Sequence, residues 1–101
     1  MRLRYLLRGF RVLAANARFG GVEVDLVMRR GRRLVLCEVK AKGGADFGDP
    51  LEMVGEQKAR RLLRAAEAFL ATHPEHARCE LALEVVAVRG TKVSRPVVLV
   101  L

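Results

Sequence analysis

The sequence predicts a single α/β domain, a mixed β-sheet flanked by helices, on three observations. Two strand-like runs carrying acids and basic residues surround a glycine turn at Gly31, an amphipathic segment covers Glu56 to Thr72, and two almost continuously apolar runs follow, Leu81 to Val88 and Pro96 to Leu101. A hairpin is antiparallel, whereas a strand, a long helix and a second buried strand make a parallel βαβ crossover, so the sheet mixes both pairings. With 101 residues the chain holds one core and one domain, residues 1–101.

Each element has its own signal. Met1 to Arg8 sets Leu3, Leu6 and Leu7, with Phe10 after them, at helical spacing, and Gly9 stands where a helix C-cap is expected. Phe10 to Asn16 reads as a short strand, and Phe19-Gly20-Gly21 as a turn. Val22 to Met28 alternates, which predicts Val22, Val24, Leu26 and Met28 on one face and Glu23, Asp25 and Val27 on the other. Leu34 to Lys40 is the partner strand, with Glu38 and Lys40 on the face of Leu34 and Leu36.

The hairpin register follows from its turn. A two-residue connection at Gly31 and Arg32, with glycine first, pairs Arg30 with Arg33. Counting back puts Asp25 opposite Glu38 and Glu23 opposite Lys40, so three acids and a lysine share one face with neighbouring Cβ atoms about 5 Å apart. A slip of one residue would send them to opposite faces. Residues 42–50 are glycine-rich and aperiodic and read as a loop beside that face. In the long helix Leu62, Leu63, Ala66, Phe69 and Leu70 form the apolar stripe and Lys58, Arg60, Arg61 and Arg64 a basic flank. The two apolar runs at the end predict strands buried on both faces.

Composition narrows the function. Hydrophobic residues make up 51% and charged residues 30%, which excludes disorder as the dominant state. No apolar run reaches the roughly 18–20 residues of a membrane helix and no secretory leader is evident, so a cytoplasmic protein is expected. Cys37 and Cys79 have no paired spacing and are expected to be buried free thiols. A net charge of +8, carried mainly by arginine, suggests a polyanionic partner or else simply a solvated basic surface. His73 and His76 follow the helix and read as solvent-exposed rather than as metal ligands.

The chemistry-bearing combination is Asp25 with Glu38-Val39-Lys40. Carboxylates converging from paired strands can hold magnesium or manganese through oxygen, and a nearby lysine can stabilise phosphate charge or help generate the nucleophile. Phosphodiester hydrolysis uses such a set. The competing reading is a salt-bridge network among Glu23, Asp25, Glu38 and Lys40.

The whole chain resembles the YraN-like family of uncharacterised bacterial proteins, which belongs to the restriction-endonuclease-like superfamily with the PD-(D/E)xK site and is related in fold to archaeal Holliday-junction resolvases. The resemblance rests on Gly9-Phe10-Arg11-Val12-Leu13 with Asn16, Glu23-Val24-Asp25-Leu26-Val27, Glu38-Val39-Lys40, Phe47-Gly48-Asp49-Pro50, Lys58 with Arg60 and Arg61, and Glu84-Val85-Val86. It implies a restriction-endonuclease-like sheet, Asp25 and Glu38 as metal ligands with Glu23 near the metal, Lys40 as the catalytic lysine, and Lys58 directed at the site. Arg60, Arg61 and Arg64, with Arg30 and Arg32 of the hairpin turn, would track the phosphate backbone of DNA, and a homodimer would be in keeping with the resolvases. The Gly-x-x-Gly-Glu motif usual near the start of such proteins is absent from these residues, Val22 replaces a usual glycine, and Ala82-Leu83-Glu84 replaces a usual Arg-Phe-Asp. Three functions follow: a metal-dependent nuclease, a nucleic-acid-binding module that does not cut, or an interaction domain whose acids form salt bridges.

Overall fold

The structure is a computed structural model that describes residues 2–41, 56–89, 92–93 and 97–99. In chain order it contains α1 (Arg2–Leu7), β1 (Arg11–Phe19), β2 (Val22–Arg30), β3 (Arg33–Ala41), α2 (Glu56–Thr72), a 3-10 turn at Pro74–His76, β4 (Glu80–Arg89), β5 (Lys92–Val93) and β6 (Val97–Leu99). The sheet runs β1-β2-β3-β4, with β5 and β6 both paired to β4. β1, β2 and β3 are antiparallel neighbours, β3 and β4 are parallel across the α2 crossover, and β5 and β6 return antiparallel. This is the expected mixed α/β architecture.

The hairpin register is the one set by its turn: Arg30 pairs with Arg33 and Leu26 with Cys37. Gly31 has φ +57° while Arg32 stays out of the left-handed region, so only the first turn position needs glycine. α1 ends in a Schellman motif, in which Phe10 N–H donates to Tyr5 O at 2.9 Å and Gly9 N–H to Leu6 O at 3.0 Å, with Gly9 at φ +89°. The accompanying apolar contact joins the Tyr5 and Phe10 rings, 5.4 Å apart edge to face.

Two apolar layers sandwich the sheet. On one side Val22, Val24, Val27, Leu34, Leu36, Leu83 and Val85 meet Ala59, Leu62, Ala65, Ala66 and Phe69 of α2. On the other, Leu26, Met28, Val35, Cys37, Ala82 and Val86 meet Tyr5 and Phe10.

Several expectations give way. Val22 and Val24 do not share a face with Leu26 and Met28; they pack under α2 with Val27. The reason lies in β1, where the register shifts between Val12 and Ala14 and Asn16 takes a left-handed φ of 49°. The far half of the β1–β2 hairpin bends there and curls over α2, until a Cβ built on Gly20 would lie 3.1 Å from Ala68 Cβ. Leu3, Leu6 and Leu7 are exposed, and Tyr5 instead fills the core, because a two-turn helix pinned by its C-cap buries only the side that meets the sheet. The last strand is not buried on both faces: Val98 is half exposed, since α2 lies over β1, β2 and β4 and β6 forms an edge.

His76 is buried rather than exposed and stacks with His73 on Phe69, closing the C-terminal end of the α2 layer. Cys37 is a buried free thiol, as expected, but Cys79 is only partly buried. Among the described residues no helix is long and apolar enough to cross a membrane. The loop expected at residues 42–50, with Phe47, lies outside the described residues.

Candidate functional site

The acids and lysines gather where β2 and β3 part company. The ladder between them ends at Leu26↔Cys37. One step further, the Asp25 carboxylate reaches across and its Oδ2 accepts the backbone N–H of Val39 at 2.6 Å. The side chain thus satisfies a strand donor that backbone no longer covers. Parity along β3 turns Glu38 and Lys40 toward α2, the side of Leu34 and Leu36.

Glu38 is shared between two lysines. Its Oε1 lies 3.5 Å from Lys40 Nζ, and its Oε2 lies 3.3 Å from Lys58 Nζ, which comes down from the first turn of α2. The two lysines, both drawn to Glu38, also act on each other's protonation. Burial, then the interaction with Lys40, lowers the Lys58 pKa below the usual lysine value. That same interaction, then the charge of Glu38, raises Lys40, and Asp25 adds a smaller pull in the same direction. Lys58 is therefore the lysine of the two that more readily yields its proton.

Glu23 stands apart from this pair. The expectation that it faces Lys40 assumed a ladder running to the end of β2, but Glu23 pairs with Arg18 of β1 and forms an exposed ion pair with it at 3.9 Å. It still lines, with Val22, Glu38, Lys58, Arg61 and Leu62, a narrow cleft of about 20 Å³, room for little more than one water. A large substrate would lie across this mouth rather than within it.

A metal ion would find hard oxygen donors here. Among the described residues no three His, Cys, Asp or Glu side chains gather to hold one. Magnesium, however, is commonly held by one or two carboxylates completed by water and substrate phosphate. Asp25 and Glu38 fit that limited role, provided Glu38 exchanges a lysine contact for the ion.

The basic residues divide. Lys58 and Arg61 line the cleft, and Arg64 is exposed on the same helix. Arg60 is tied to Glu56 by an exposed pair at 2.7 Å. Arg30 lies elsewhere: its guanidinium covers the Phe10 ring at 4.8 Å and donates to Arg8 O at 3.0 Å, on the α1 side. Arg32 lines a separate cleft near the end of α2.

One polar cluster escaped sequence reasoning. Glu84, 4% exposed, accepts from Tyr5 Oη at 3.0 Å and from Arg33 at 3.2 Å on the face opposite α2. A single acid within the apolar run Leu81 to Val88 is the signal that could have found it, since such a charge needs partners.

Residues 3–88 match the family model described as "Uncharacterised protein family UPF0102". A UPF0102 protein of Xanthomonas campestris pv. campestris (strain B100) is 43% identical over 82 residues, covering 81% of this chain and 67% of the relative. One from Gloeobacter violaceus is 51% identical over 72 residues, covering 70% and 57%. One from Acidothermus cellulolyticus is 48% identical over 65 residues, covering 64% and 49%. The chain spans about half to two thirds of the length of these relatives.

Proposed function

The chain belongs to the uncharacterised protein family UPF0102, and from that premise we propose that it is a metal-dependent nuclease of the restriction-endonuclease-like kind, hydrolysing DNA phosphodiester bonds at Asp25, Glu38 and Lys40. The observation that carries the reading is Glu38 and Lys40 on one face of β3, with Asp25 fixed beside them by the Val39 amide and Lys58 closing over Glu38. The likeness in sequence pattern to PD-(D/E)xK enzymes and to resolvases supports the same reading and suggests branched DNA among the substrates.

The roles follow from position. Asp25 and Glu38 would hold magnesium or manganese, which when bound supplies Lewis acidity at the scissile phosphate and lowers the pKa of a coordinated water. Lys40, kept charged by its neighbours, stabilises negative charge developing on the phosphate oxygens. Lys58 holds Glu38 in place when no ion is there. Arg61 and Arg64 contact flanking phosphates, which position the strand without reading its sequence.

The engagement of both Glu38 oxygens by lysines favours a second reading, a module that binds DNA without cutting it. Labelled duplex, single-stranded and four-way-junction DNA, incubated with magnesium, manganese or EDTA, separates the two. Metal-dependent cuts support the nuclease; salt-sensitive binding without cuts supports the module; neither cuts nor binding refutes both.

A further inference from the structure

At the far end of α2 from the acids lies a larger cleft, about 530 Å³, lined among others by Arg29, Arg32 and Arg78, by Cys79, and by a single carboxylate, Glu75. Its centre is preorganised. Arg29 Nε donates to Gly31 O at 2.7 Å, and Arg29 Nη1 lies 2.7 Å from Nδ1 of the buried His76, which itself stacks on Phe69. The guanidinium is thus fixed in orientation by the hairpin turn below and the post-helix turn beside it, with Nη2 outside both bonds. A guanidinium whose orientation is already fixed loses less entropy on gripping an oxyanion than a free side chain does. Arg32 and Arg78, both exposed, stand beside it on the two turns.

Three guanidiniums against one carboxylate make a local excess of positive charge, and a planar fork suits phosphate oxygens. We infer that this cleft is a phosphate-binding site, separate from the acid-and-lysine site, and that it takes the backbone phosphates of a nucleic acid. The open cleft with two exposed arginines suits a passing strand better than an enclosed small molecule. α2 has 17 residues and is about 25 Å long, so a duplex touching both sites would need about seven base-pair steps between them. The inference rests on the DNA reading only for the source of the phosphate.

The test is run in EDTA, where the metal site is silent. The side-chain Nε–H signals of the protein are followed by NMR during titration with inorganic phosphate and with a 20-base-pair duplex, and duplex affinity is measured against salt. The expected result is perturbation of the Arg29, Arg32 and Arg78 signals by DNA, with Arg32→Ala/Arg78→Ala weakening the duplex about tenfold and lowering the salt slope by about one per arginine. Both replaced residues are exposed, and an unchanged Tm shows that the variant is folded. Perturbation by phosphate, with DNA affinity unaffected by the double change, keeps the anion site but assigns it to free phosphorylated molecules, overturning the nucleic-acid source. No perturbation by either probe, with unaltered affinity, overturns the site. Glu38→Gln is the reference: it leaves these signals unchanged whether or not the nuclease reading stands.

Discussion

The Asp25 carboxylate accepts the Val39 amide at 2.6 Å, joining β2 to β3 just where their backbone pairing stops. A residue assigned to the chemistry therefore also completes the sheet. Asp25→Ala leaves a strand donor without this acceptor and is expected to cost about 1–3 kcal/mol, whereas Asp25→Asn keeps an oxygen there and costs less. Urea unfolding of the two variants checks this; equal midpoints would show that the bond contributes nothing.

Lys58 competes with any cation for Glu38, since it occupies Oε2 at 3.3 Å. Lys58→Met, which keeps the apolar stem and removes the charge, is expected to tighten manganese binding severalfold in calorimetric titration. Weaker binding would mean that the lysine supports the ion site rather than blocking it.

Tyr5 links α1 to the sheet through its bond to Glu84. Tyr5→Phe removes that donor from a buried carboxylate and leaves Arg33 as the remaining bond in this cluster. A loss of about 1–3 kcal/mol is expected, together with faster amide exchange in α1; exchange unchanged in α1 would show that the helix is held by its C-cap and the ring contact with Phe10 alone.

The same cluster predicts alkaline instability. Burial pushes the Cys37 thiol up to about 12, and burial, aided by Cys37 and Glu84, raises the Tyr5 hydroxyl as well. Folding thus favours the protonated forms, and the stability they contribute is complete below the unfolded thiol pKa of about 9 and declines as pH rises toward 12. Tm is expected to fall from about pH 9 upward, less steeply in Cys37→Ala. At neutral pH a thiol reagent should modify Cys79 readily and Cys37 only after denaturation.

The sheet was legible because its signals are local. Gly31 fixes a two-residue turn, which fixes the register from Arg30↔Arg33 to Leu26↔Cys37, and the apolar period of residues 56–72 fixes α2. What escaped depends on tertiary bending. The left-handed Asn16 and the register shift in β1 move Val22 and Val24 to the other face and take Glu23 to Arg18, and nothing in alternation announces a bend. His76 looked like a loop residue, but the turn after α2 folds it back against Phe69, where Arg29 meets it. Glu38 and Lys40 sharing a face followed from strand parity, whereas the arrival of Lys58 required a helix position that spacing alone does not set.

The most direct test of the central claim is the initial rate of magnesium-dependent nicking of supercoiled plasmid DNA by the protein, by Glu38→Gln and by Lys40→Ala. Nicking by the unaltered protein, abolished by EDTA and reduced on the order of a hundredfold or more by either substitution, is the predicted result. Nicking that survives both substitutions, or none at all in magnesium and manganese, would contradict the assignment of Asp25, Glu38 and Lys40 as a nuclease site.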